Sequence, residues 1–289
     1  MTEIRCVMKI EALLGEGPVW DAARGVLWWV DIKGKRLHMF DPVSGIGNGV
    51  QLDRQVGSVA PRAGGPGLLA AMEDGVGIID PATGRFDKRL DPEPDRPGNR
   101  ANDGNVDVNG RYWFGTMADD EQAISGAAYR LDADWTCTRV LDNIAISNTM
   151  VCNPAGDRLY VADSVRGTID TLVIDPKTGA TGARAPFVTV DKGSPDGSAV
   201  DVDGYVWNAQ WGAARIVRYA PDGRVDRIID MPVDQPSSCA FGGADLSTMY
   251  VTTARWNLSA EALARQPLAG SLLAFDPGVR GLALPPFAG

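Results

Sequence analysis

Polar residues repeated in one register are the first chemistry this chain offers. Asp or Asn recurs at the end of an apolar segment, at Asp21, Asp107, Asn153 and Asp201, and another polar residue stands five positions earlier, at Glu16, Asn102, Asn148 and Asp196. Two weaker copies, aligned the same way, offer Ser58 and Ser238. Carboxylate and amide oxygens are hard donors that suit Ca²⁺, Mg²⁺ or Mn²⁺, and Zn²⁺ or Fe²⁺ less comfortably. If Glu16 and Asp196 face one another, they repel unless protonated or bridged by a cation. Strand ends also favour Asn, Asp and Ser for plain turn chemistry, and Asn105, Asp107 and Asp203 keep that reading. A register shared by six copies points instead to a lined channel. Arg100, in Asn99-Arg100-Ala101-Asn102-Asp103-Gly104, brings a guanidinium to the same place. It can hold a substrate carbonyl and hydroxyls, or it can pair with one of the many acids. Asp119-Asp120-Glu121 reads either as an acidic lip over the channel or as a solvated loop.

Other chemistries are excluded by counts. The 289 residues contain one histidine, His38, so no zinc site with several imidazole ligands can be assembled. His38 sits in an apolar strand pattern and is expected on its solvent side, away from any serine nucleophile. Cys6, Cys137, Cys152 and Cys239 are far apart and form no C-x-x-C pair, as expected of reduced structural thiols. A net charge of −9, from 28 Lys+Arg and 37 Asp+Glu, argues against nucleic acid or an anionic membrane as partner. Neither a signal-peptide pattern nor an apolar stretch of about 20 residues is visible, so a cytoplasmic protein is expected.

The elements that must position these residues come from a repeat. An aromatic or apolar strand, a short polar link, a second strand and an Asp/Pro/Gly turn recur from Gly25-Val26-Leu27-Trp28-Trp29 to Thr248-Met249-Tyr250-Val251-Thr252. Copies start about 40 to 50 residues apart, the length of one propeller blade. The expected fold is therefore all-β: a six-bladed β-propeller of four-stranded antiparallel blades, one domain over residues 1–289. The apolar segment from Ile4 to Ile10 is expected to supply the outer strand of the last blade, joining the two ends of the chain. In this architecture the register above becomes a ring of side chains at one mouth of the channel. Trp28, Trp29, Trp113 and Trp207 are expected between blades, whereas Trp211 and Trp256 lie past strand ends, where a ring can flank a ligand. The one helix signal, Ser259 to Arg265, starts on a capping serine and reads as a surface decoration.

Several segments resemble the signatures of the gluconolactonase family, which includes regucalcin and luciferin-regenerating enzyme. They are Gly15-Glu16-Gly17-Pro18-Val19-Trp20, Arg100-Ala101-Asn102-Asp103-Gly104, Gly115-Thr116-Met117, Ser147-Asn148-Thr149-Met150 and Pro195-Asp196-Gly197, in the family's order. Phe241-Gly242-Gly243-Ala244-Asp245-Leu246 and the segment from Tyr250 to Arg255 are most similar to the bacterial sugar-lactonase branch, including xylonolactonases. The resemblance implies one catalytic divalent metal (Ca, Zn, Mn, Mg or Fe(II)) on Glu16, Asn148 and Asp196. It also implies substrate contacts from Arg100 and Asn102, with Asp120 in place of a family glutamate one methylene longer. Thr149 departs from the family's commoner glycine. The implied reaction is hydrolysis of a xylono-, arabinono-, galactono- or gluconolactone, with Asp196 as general base. The alternative is a non-catalytic calcium-binding protein of the regucalcin kind. The expected partner is a small sugar lactone, and the expected assembly a monomer or homodimer.

Overall fold

The structure, a computed structural model, describes residues 2–289. Six four-stranded sheets are arrayed along the chain. Their inner strands are Gly15–Asp21, Val56–Pro61, Asn99–Val106, Ser147–Cys152, Ser194–Val200 and Pro236–Gly242. Each inner strand packs against the next and the last packs against the first. The sheets therefore close into a six-bladed β-propeller, numbered here in chain order. Blade 6 seals the ring: Arg5–Met8 is its outer strand and pairs antiparallel with Leu272–Phe275, Arg5 opposite Ala274 and Cys6 opposite Leu273.

Turn chemistry explains why the repeat folds into blades. Asp41, Asp80 and Asp175 accept the amides of Val43, Ala82 and Lys177 at 2.8, 2.9 and 2.8 Å. Each turn ends on a glycine of left-handed backbone, with φ of 71°, 75° and 70° at Gly45, Gly84 and Gly179, a conformation that favours residues without a Cβ. On the inner strands, Asp21, Asp107 and Asp201 cap the following turn and also receive an indole N–H. Trp28, Trp113 and Trp207 donate Nε1 to them at 3.2, 2.9 and 3.0 Å. Asp107 is thus a turn residue, as its position suggests, and a buried one.

The core lies between blades. Trp28, Trp29, Trp113 and Trp207 are all buried there, where large rings fill the space between facing sheets. His38 corrects the expectation of a solvent-side position: it is buried and stacks on Trp29 with ring centroids 4.2 Å apart. Burial, aided by Arg36, pulls its pKa down to about 4, and it stands far along the sheet from the inner strands. All four cysteines are free. The helix spans Ala260–Arg265, with Ser259 Oγ accepting from Ala262 N at 3.2 Å. Among the described residues no helix is long and apolar enough to cross a membrane.

A feature the repeat did not announce is the C-terminal strap. Leu282 N donates to Val200 O in blade 5 at 3.1 Å, Phe287 N to Pro61 O in blade 2 at 2.8 Å and Ala288 N to Gly110 O in blade 3 at 3.0 Å. Phe287 is fully buried beside Ala60, Leu69 and Phe114. The strap crosses the end of the channel where the inner strands finish, leaving the end where they start as the open mouth.

Candidate functional site

Every inner strand slips register by one residue near its mouth. The slips fall between Glu16 and Val19, Val56 and Ser58, Ala101 and Gly104, Asn148 and Val151, Pro195 and Ser198, and Pro236 and Ser238. A bulge bends its strand and re-aims the side chain beside it. Four of the six turn a polar group into a single cavity of about 280 Å³, lined by Glu16, Arg100, Asn102, Asn148 and Asp196 among others. Blades 2 and 6 do not. Ser58 bonds its hydroxyl to Tyr112 Oη at 2.6 Å, and Ser238 packs on Gly197, where an added Cβ would lie 2.0 Å from its Oγ. Both are buried and neither lines the cavity.

Glu16 and Asp196 meet within hydrogen-bond reach, each only 6% exposed. Burial, with the nearby Asp103 charge, carries the Glu16 carboxyl up to about 8, against the Gly17 amide and Arg100. Burial and the Glu16 and Asp103 charges hold Asp196 well above the usual carboxylate range. Asp103, itself pushed up by burial, is a third acid that the sequence reading passed over. Such a cluster must retain a proton at neutral pH or accept a cation in its place.

Asn148 contributes an amide oxygen to the same cavity. Asn102 Nδ2 donates to its Oδ1 at 3.0 Å, and its own Nδ2 donates to Ser164 Oγ at 2.9 Å. Ser164 Oγ in turn donates to Pro195 O at 2.6 Å, tying blade 4 to the strand that bears Asp196. Asn102 therefore orients the Asn148 oxygen and also accepts from Arg100 Nη1 at 2.6 Å. Arg100 is buried, and its Nε donates to Asp119 Oδ1 at 2.7 Å. Its Nη2 has no hydrogen-bond partner among the described residues. One edge of Arg100 thus makes an ion pair, while the residue also lines the cavity.

Thr149 explains how the glycine position is filled. Its φ is 57°, and it is the one β-branched residue with left-handed backbone among the described residues. That conformation costs about 1–2 kcal/mol for an L-residue. In return its N–H reaches Asp103 Oδ2 at 2.8 Å, and its hydroxyl bonds the Asp196 carbonyl and Ser198 Oγ. Strain is located where it fixes the acid cluster.

The lip is built differently from the sequence expectation. Asp120 is exposed and accepts only locally, from Gln122 N at 3.0 Å; it does not line the cavity. Asp119 is the hub instead, taking Lys33 Nζ at 2.6 Å and Gln55 Nε2 at 3.2 Å besides Arg100. Glu121, with φ 60°, lines the cavity. Asp119 and Glu121 thus stand at the site, while Asp120 between them faces solvent. Trp211, Trp256 and Gln235 complete the wall; the two tryptophans were legible as flanking rings, whereas Gln235 and Asp119 carried no repeating signal.

The donor set fits a divalent cation: two buried carboxylates short of positive charge and one amide oxygen held in place. Among the described residues no group of three or more His, Cys, Asp or Glu side chains is placed to hold a metal ion, so the candidate donors here are two carboxylates and an amide oxygen.

Known proteins share this fold and much of this sequence. The SMP-30/Gluconolactonase/LRE-like region matches residues 14–255. The chain is 36% identical to a 6-deoxy-6-sulfogluconolactonase of Pseudomonas putida, over 99% of each chain, and 32% identical to a regucalcin of Xenopus laevis, again over 99% of each. Its backbone superposes on a solved calcium-binding protein, regucalcin from Agrobacterium tumefaciens, with a TM-score of 0.94 and 31% identity, covering 100% of this chain and 98% of the other. With a profile match over most of its length and relatives that span it from end to end, the chain belongs to the SMP-30/gluconolactonase/LRE-like family.

Proposed function

We propose that this protein hydrolyses an aldonolactone to the aldonic acid with the help of one divalent cation. The observation that carries the reading is the buried Glu16–Asp196 pair beside a fixed Asn148 oxygen, at the bottom of a cavity that also exposes Arg100. Glu16, Asn148 and Asp196 would hold the cation, which when bound supplies the charge that polarises a carbonyl and acidifies water. Arg100 stabilises negative charge developing on the carbonyl oxygen. Asn102 keeps Arg100 and Asn148 in register, so that attack comes from one face of the ring. Asp196 takes a proton from the attacking water. The water oxygen bonds to the carbonyl carbon, the acyl–oxygen bond of the ring breaks, and the ring oxygen leaves as a hydroxyl carrying that proton.

A relative named a sulfogluconolactonase supports the substrate class, since its name sets a sugar lactone in a chain alike from end to end. A second reading, calcium binding without catalysis, has support in the regucalcin relatives and the calcium-binding solved structure. A pH-stat assay separates the two. Protein stripped by chelation and reloaded with Ca²⁺, Mg²⁺, Mn²⁺, Zn²⁺ or Fe²⁺ is offered xylono-, arabinono-, galactono- and gluconolactone. Acid release that vanishes on chelation and returns with a metal is the expected result. Hydrolysis that survives chelation overturns the metal-dependent reaction, and cation binding with no hydrolysis by any form supports the second reading.

A further inference from the structure

Blades 3 and 6 face each other across a six-membered ring, so the wall bearing Arg100 and Asn102 has an opposite one. That opposite wall carries Gln235 and Trp256, with Trp211 beside them from blade 5. Gln235 is 8% exposed. Its Nε2 donates to Trp256 O at 3.2 Å, which fixes the amide and turns Oε1 away from that carbonyl. Oε1 is buried and has no partner among the described residues. Most buried polar atoms are satisfied, and one left over on a residue of the cavity wall can take a donor from outside the chain once a small turn of the amide uncovers it.

The segment is also held firmly. Asp234 N donates to Gln266 Oε1 and Gln266 Nε2 to Asp234 Oδ2, both at 2.6 Å. Ala254 N donates to Gln235 O at 3.1 Å, and Ala214 N to Asp234 O at 3.2 Å. The helix that looked decorative in the sequence therefore anchors this wall through its C-terminal Gln266. Lys33 Nζ lies 5.3 Å from the Trp256 ring centroid while bonded to Asp119, so the indole is backed as well.

We propose that Gln235 is a specificity residue whose Oε1 accepts a hydrogen bond from a lactone hydroxyl on the side of the ring away from Arg100. Trp211 and Trp256 flank the C–H faces of the same part of the molecule. The inference rests on the aldonolactone reading and gives one of the substrate's hydroxyls a partner on the far wall. A donor is required of the ligand because the amide has only its oxygen left to offer. A site with a buried acceptor rejects an analogue that lacks the matching hydroxyl.

The test is a cycle that deletes the two partners separately. Parent and Gln235→Leu enzymes are assayed on hydroxylated aldonolactones and on plain δ-valerolactone and γ-butyrolactone. Replacement should lower kcat/KM on the hydroxylated lactone about tenfold more than on the plain one, chiefly through KM. Equal losses on both lactones, or none on either, overturn the proposal and leave Gln235 a prop for Trp256. Should Gln235→Leu fail to fold, Gln235→Asn withdraws the oxygen by one methylene and is read the same way. Equal losses in an enzyme that cleaves aldonolactones leave the proposed function standing; a parent enzyme that cleaves only plain lactones, or none, ends both.

Discussion

Asp196 and Asp201 lie five residues apart on one inner strand and its turn, and both are buried, yet their surroundings are opposite. Asp201 is surrounded by donors: Asp203 N and Tyr205 N at 3.0 Å, Trp207 Nε1 at 3.0 Å, and Arg218 through Nε at 2.9 Å and Nη2 at 2.7 Å. Asp196 has the Gly197 amide and, facing it, two more acids. The pattern repeats around the ring, with Asp21 and Asp107 satisfied as Asp201 is, and Glu16 short of positive charge as Asp196 is. A carboxylate whose partners come from its own chain holds the blade together. One left without them carries an uncompensated burial cost, which under the proposed function a cation arriving from solvent offsets.

The sharpest way to break the comparison is to remove each acid in turn. Asp196→Asn should lower lactone hydrolysis at least about 10³-fold, since both the proton acceptor and a cation ligand are lost. It should leave the metal-free protein as stable as the parent or more so, because a repelling charge disappears. Initial rates and urea melts read the two effects, and a destabilised but active variant would erase the distinction. Asp201→Ala should do the reverse. It leaves Arg218 with Asp226 as its close partner and the Trp207 indole with no acceptor, at a cost of about 1–3 kcal/mol, with turnover per folded molecule unchanged. Loss of activity without loss of stability would place Asp201 in the chemistry.

A gentler test uses pH. The Glu16 carboxyl sits at about 8 in the fold against 4.5 ordinarily. Between these values the folded, metal-free protein keeps a proton that the unfolded chain gives up. Its stability should therefore be fully present below about 4.5 and fall as pH rises through about 8. Calorimetric Tm values at pH 5.5 and 8.5 should differ in that sense for the metal-free protein. Added cation should raise Tm most at the alkaline end, where no proton has to be displaced. Glu16→Gln should flatten the slope; a slope that persists in that variant assigns it to other groups.

How much of this was legible depends on whether the sequence repeats. The propeller and the positions of Glu16, Asn102, Asn148 and Asp196 follow from one recurring register, and the closing strand Arg5–Met8 from an apolar N-terminal segment in a ring that must close. Ser58 and Ser238 obey the same count but turn elsewhere, because their contacts, Tyr112 and Gly197, belong to neighbouring blades that a single-strand alignment cannot see. Asp119, Glu121 and Gln235 come from loops, where nothing repeats and no register says which of several adjacent acids faces the site. His38 was misplaced because alternation along a strand cannot tell a solvent face from a face covered by another blade.

The smallest expected effect concerns Thr149. Thr149→Gly loses the hydroxyl but releases the left-handed strain, and should stay within about 1 kcal/mol of the parent. Thr149→Ala loses the same hydroxyl and keeps the strain, so it should be about 1 kcal/mol less stable than the glycine variant in urea melts. Equal stability of the two would mean that the backbone relaxes there.

The closure of blade 6 has a consequence for when the protein becomes competent. During synthesis Arg5–Met8 remains an unpaired edge until Leu272–Phe275 has been made, so nearly the whole polypeptide is one loop waiting to be joined. The entropy of joining it grows only with the logarithm of its length, but the waiting interval leaves an open strand available to other chains. Glu16 arrives early on the ribosome and Asp196 late, on blades that become near neighbours only around the completed circle. No nascent fragment assembles the acid pair as the finished molecule does; the pair comes with the final blade.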